Sequence, residues 1–253
     1  MLTQILWWAG DLLIALLLIR SLQGRFLKKY PVFYSYLVWI LFSSLLSHYV
    51  YGFHPGAYQV FYWYKEFVSV SLGYCIIWEI YAQALAEYPG ASRMARTVVS
   101  VSFVLALASV VAHMFNNSIW SLAETTAVLE RNWRTPQAVL LIGIVGLLAY
   151  YAIPIGRNLK GLILGYGFVV GTSIINLTLR AHFGKAFQPW WHYLGPLAYI
   201  GSLFMWTVAL WTYHPNPRPK AEVTLERDYE LISVQTARAL ARARHALLRA
   251  VRT

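Results

Sequence analysis

The sequence predicts an all-α integral membrane protein: seven transmembrane helices, the N-terminus outside, and an amphipathic cytoplasmic helix at the C-terminus. Three observations carry that reading. Of 253 residues, 58% are hydrophobic and only 12% are charged, where an ordinary soluble domain carries about 25% charge. Apolar runs close to the ~20 residues that cross a bilayer recur along the chain. Lys and Arg gather on one side of those runs, as the positive-inside rule expects.

The runs are Thr3–Ile19, Val32–Tyr51, Tyr62–Leu85, Thr97–Phe115, Pro136–Ile155, Leu162–Phe183 and Tyr193–Tyr213. The first follows no basic n-region and ends without a small-residue cleavage site, so it is expected to be retained as a helix. Turn signals separate the next ones: Lys29-Tyr30-Pro31, His54-Pro55-Gly56 and Tyr88-Pro89-Gly90. Thr135-Pro136 reads as the N-cap and first position of the fifth helix. The stretch Asn116–Arg134 before it reads as a short helix lying on the outer interface. Gly156 to Gly161 reads as a tight basic turn, and Gly184 as the C-cap of the sixth helix.

Sixteen of the 21 Lys and Arg residues fall in the first, third and fifth connections and the tail; Lys65, Arg131, Arg134, Arg180 and Lys185 lie on the other side. The +11 net charge is therefore a topology signal and gives no reason to expect nucleic acid binding. Residues 1–213 form one transmembrane domain in this reading. Residues 214–253 form a cytoplasmic tail with a spacer of Pro215, Pro217 and Pro219 and then a helix. One stripe of that helix is Leu225, Tyr229, Ile232, Thr236, Leu240, Ala243, Leu247 and Val251; a second is Arg238, Arg242, His245, Arg249 and Arg252. Such a helix lies on an anionic leaflet, or docks a cytoplasmic protein or a second copy through 224–253. With the bilayer, these are the expected partners, in a bacterial cytoplasmic (inner) membrane.

Ionisable residues inside apolar runs are costly and need partners, water or a function. The run Tyr62–Leu85 carries Lys65, Glu66 and Glu79. Asp11 stands about 13 Å into the first run at 1.5 Å per residue. In the sixth run Thr172, Asn176 and Arg180 are spaced by four on one face. Asp11, Lys65, Glu66, Asn176 and Arg180 are the expected ligand-binding residues of an outward-facing polar pocket, Arg180 being able to reach Asp11 or Glu66. Glu79, nearer the basic turns, is expected to be a switch or a structural ion pair. Gly161-x-x-x-Gly165 and Gly167-x-x-x-Gly171 suit close helix packing.

Other chemistry finds little support. No G-x-S-x-G elbow or Walker A loop is present, the last run has no lysine for a retinal Schiff base, and no catalytic residues are expected. His48, His113 and His182 end three different helices, so haem b or a metal is only an alternative to having no cofactor. The single Cys75 sits in an apolar run and permits no internal disulfide. The leading expectation is a non-enzymatic sensor, receptor or scaffold. A transporter or permease for a small solute or ion is the second, and a haem- or metal-binding membrane protein the third. The layout resembles the membrane input modules of bacterial sensor proteins, which implies signal transfer from an outer pocket to the tail.

Overall fold

A computed structural model of the chain describes residues 2–24, 26–116, 122–184, 187–217 and 225–250. Among them only helices, turns and extended links occur. The elements are α1 (Leu2–Gly24), α2 (Phe26–Lys29), α3 (Pro31–Phe53), a 3-10 turn (Pro55–Ala57), α4 (Tyr58–Ala84), α5 (Pro89–Asn116), α6 (Leu122–Tyr150), α7 (Arg157–Phe183), α8 (Gln188–Leu210) and α9 (Leu225–Ala250). Seven of these, α1 and α3 to α8, are long and apolar enough to cross a membrane.

Local chemistry sets most boundaries. Pro31 and Pro89 occupy first helical positions, where the missing N–H costs nothing. His54 ends α3 and Pro55 starts the 3-10 turn. Gly184 closes α7 at φ +57°, a conformation that Cβ-bearing residues avoid. Two boundaries differ from the sequence expectation. Pro136 does not open the fifth helix: it lies inside α6, which starts at Leu122, so the helical stretch before it is continuous with the span. The ring there removes one ladder hydrogen bond without ending the helix. Gly156 is the N-cap of α7, so Arg157 to Gly161 are helical and the turn falls earlier, over Tyr151 to Ile155, with Ala152 at φ +48°.

α4 is the hub of the bundle. It packs against α3, α5, α6 and α7, and 56% of its spanning window is buried, against 28–33% for the other six. α1 contacts α3 and α8, and α7 packs along α8. Gly161 and Gly165 permit that last contact, because a Cβ on either would overlap Ala209 or Trp206; Gly167 and Gly171 face open space instead. Trp206 is fully buried and meets Phe33 and Tyr36 edge-on, at centroid distances of 5.0 and 6.5 Å.

The ends of α4 and α8, the start of α7 and the link after α8 meet in a hydrogen-bonded junction. Buried Asn158 donates to the carbonyls of Ala209 (2.7 Å) and Thr212 (2.8 Å) and accepts from the amide of His214. It thereby closes the carbonyl end of α8 and fixes the link beyond it. Asn216 in that link accepts from the Gly156 amide (3.0 Å) and donates to the Gln83 carbonyl (3.3 Å). α9 then packs on α5, with Leu225 buried and Asp228 accepting from the Tyr151 hydroxyl (3.1 Å).

Candidate functional site

The acidic residue of α1 meets α3 and α4 in one polar cluster. Asp11 is 7% exposed, and its carboxylate accepts from the Ser44 hydroxyl at 3.2 Å. Ser44 also accepts from the Trp7 indole N–H at 2.8 Å. One turn on, the His48 ring stacks on Trp7 at 3.6 Å and on Trp8 at 5.2 Å between centroids. Its Nε2 is buried with no hydrogen-bond partner among the described residues. Lys65 donates to the Ser47 hydroxyl at 3.5 Å. Ser44, Ser47 and His48 fall at helical spacing on one face of α3, which is why one helix serves both charges. Asp11 and Lys65 thus each bond a different serine of that face, with no direct ion pair between them among the described residues.

Glu66 turns away from Lys65, as neighbouring positions on a helix must. It pairs with Arg134 of α6 at 2.8 Å, and the two side chains are 16% and 10% exposed. Sequence reasoning offered Arg180 as a partner of Glu66 or Asp11; the geometry supplies Arg134. One turn deeper, Gln137 is fully buried, donating to the Val70 carbonyl (2.9 Å) and accepting from Tyr166 of α7 (3.3 Å). Tyr74 donates to the Trp133 carbonyl at 3.1 Å. Gly73 makes room for this network, because a Cβ there would overlap the Tyr166 hydroxyl and lie 2.7 Å from the Gln137 amide.

At the far end of α4, Glu79 is buried and accepts from the backbone amides of Val32 (3.0 Å) and Phe33 (2.9 Å). These are open donors of the first turn of α3, and Tyr30, the N-cap residue, offers no side-chain bond of its own. Glu79 is therefore an N-cap supplied by another helix, and it also places negative charge at the positive end of the α3 dipole. No basic side chain pairs with it among the described residues: the nearest open donors are the α3 amides, and the carboxylate takes those. Four residues on, Gln83 donates to the Lys29 carbonyl at 2.8 Å, clamping the same turn. Burial raises the Tyr30 phenol above its ordinary value, and Tyr213 and Glu79 add to the effect.

The remaining candidates share no hydrogen bond or ion pair with the cluster among the described residues. Asn176 is partly buried with its Oδ1 unpartnered, and Arg180 is exposed on α7. His182 is exposed at the end of α7; the side chain of His113 lies outside the described residues. Among the described residues no three His, Cys, Asp or Glu side chains are placed to hold a metal ion. Of the tail stripes, the side chains of Leu240, Ala243, His245, Leu247 and Arg249 also lie outside them, as do Val251 and Arg252 entirely, while Leu231, Ile232 and Val234 are exposed on α9.

Sequence reasoning missed Ser44, Ser47, Trp7, Arg134, Gln137, Tyr166, Asn158 and Asn216. Only the first two left a clear trace: Ser44 and His48 are one helical turn apart, and Ser47 precedes His48 in an otherwise apolar run. No protein-family model matches the chain, and comparisons with the curated proteins and with the solved structures each return no match.

Proposed function

We propose that this chain is an integral membrane protein of seven spans acting as a non-enzymatic sensor or receptor. The Lys65 end faces outward and α9 lies in the cytoplasm. The orientation is supported by charge: Arg20, Lys28, Lys29, Arg93, Arg96, Arg157 and Lys160 all belong to the Glu79 end, from which the tail emerges.

The functional reading rests on one observation. Asp11 and Lys65, opposite charges on two helices, are both drawn to one face of a third, Asp11 bonding Ser44 and Lys65 bonding Ser47. Charges held in that way favour a small polar solute that brings both signs, its cationic group on Asp11 and its anionic group on Lys65. The rings of Trp7, Trp8 and His48 offer it a flat wall. Binding would draw α1, α3 and α4 together. α4 carries that change to Glu79 and Gln83, which hold the first turn of α3 and, through Asn216, the link to the tail.

The test is a thermal-shift screen of the purified protein against small zwitterions, amines and organic anions. A true ligand raises the melting temperature of the wild type and of Arg180→Gln, and loses that effect in Asp11→Asn and Lys65→Gln. Stabilisation that persists in both cluster variants would end this reading. A permease is the second reading, favoured by the way Glu66, Arg134, Gln137 and Tyr166 continue the polar groups into the bundle. It predicts solute flux into vesicles that Glu66→Gln abolishes.

A further inference from the structure

An open pocket of about 390 Å³ lies between the start of α7 and the end of α8, lined by Arg157, Thr207, Val208, Trp211, Thr212 and His214. We propose that it is a headgroup site for an anionic phospholipid, whose phosphate is held by Arg157 and His214. The inference rests on the membrane reading above.

Among the described residues the lining has a guanidinium, an imidazole and two hydroxyls, and no carboxylate. Among the described residues Arg157 makes one long contact, 3.4 Å to the Val208 carbonyl, of the five N–H donors a guanidinium presents. A phosphate takes such donors in pairs. His214 is held at the pocket wall because its amide is bound by buried Asn158. Arg20 adds a second cation against a lining residue: it lies over the Trp211 ring at 5.5 Å and donates to the Trp211 carbonyl at 3.0 Å.

The surroundings distinguish a lipid from a free ion. Val208 and Phe204 on one face of α8, and Trp211 at its C-cap, are exposed one above the other. The polar pocket thus opens onto an apolar strip that runs along the spans, as a headgroup and its acyl chain require. The pocket also sits at the Lys- and Arg-rich end, where the positive-inside rule places the anionic leaflet.

The experiment is native mass spectrometry of the full chain in detergent, titrated with phosphatidylglycerol, phosphatidylcholine or inorganic phosphate. Wild type and Lys160→Gln, which changes an exposed cation of the same turn outside the pocket, should retain phosphatidylglycerol over phosphatidylcholine. Arg157→Gln should bind it about tenfold more weakly, the loss of one charge-assisted contact, and His214→Gln should weaken it in the same direction if Arg157→Gln fails to fold. Equal retention of both lipids, or no effect of either pocket variant, overturns the proposal. Arg157-dependent binding of inorganic phosphate that displaces the lipid overturns it in favour of a soluble phosphate ligand. Alkaline carbonate extraction separates the two premises: release of wild type from membranes would refute the membrane reading itself, whatever the lipid result.

Discussion

Removing the Glu79 carboxylate should cost more than removing any positive charge near it. The carboxylate satisfies two donors, the part-buried amide of Val32 and the buried amide of Phe33. A hydrogen bond to a charged group contributes about 1.5–3 kcal/mol, and each orphaned buried donor costs about 1–3 kcal/mol. Glu79→Ala should therefore destabilise the bundle by about 2–5 kcal/mol, above the ~1 kcal/mol of an ordinary exposed cap. Glu79→Gln keeps one acceptor and should cost roughly half as much. Glu79→Asp is a methylene shorter and should fall between them. Lys28→Gln and Lys29→Gln should cost less than about 0.5 kcal/mol, as surface changes do. The assay is SDS- or heat-induced unfolding of the purified protein in one detergent. If Glu79→Ala were as stable as the wild type, or Lys29→Gln as damaging as Glu79→Ala, the cap would not hold the fold and an ion pair would be the better account.

Three other outcomes follow from the buried contacts. Glu66→Gln leaves the Arg134 guanidinium without its carboxylate and should destabilise by about 1–3 kcal/mol, discounted for partial exposure, while the double variant Glu66→Met with Arg134→Met should recover part of that loss in the same unfolding assay. Gly73→Ala drives a methyl into the Tyr166 and Gln137 contact and should cost about 1–3 kcal/mol, where Gly146→Ala, which meets open space, should be neutral or stabilising. Burial, then the hydrogen bond to Asp228, raises the Tyr151 phenol above its ordinary value. Its folded value is the higher one, so its contribution to tail docking is complete below about pH 10 and is lost as pH rises through the folded value. Fluorescence from a label at Ile232 should report that alkaline undocking, and Tyr151→Phe should show a looser tail at neutral pH and a weaker alkaline step.

The helices were legible because hydropathy and length act locally, and Pro31, Pro89 and Gly184 mark ends by the dihedral they fix. Pro136 misled for the same reason: its signal is local, and the packing that keeps α6 helical on both sides of it is not. The candidate site divides likewise. Asp11, Lys65 and Glu66 are conspicuous because charge is rare in an apolar run. Their partners are not conspicuous, since Ser44, Ser47 and Gln137 are ordinary residues until tertiary contact assigns them. Glu79 shows the limit most plainly. Its charge was visible, but its partners are backbone amides, and every residue but proline has one. Asn158 stands in the first turn of α7 and Asn216 in the link after α8, where asparagine is unremarkable, and only the fold shows that they tie α4, α7 and α8 to the tail.

The central claim is that the Asp11 cluster and the tail are coupled through α4. Spin labels at Val98→Cys on α5 and Ile232→Cys on α9, both exposed positions, in a Cys75→Ala background would report the distance between them by double electron–electron resonance. The account predicts that Asp11→Asn shifts or broadens this distribution while Arg180→Gln leaves it as in wild type. Superimposable distributions for wild type and Asp11→Asn would contradict it.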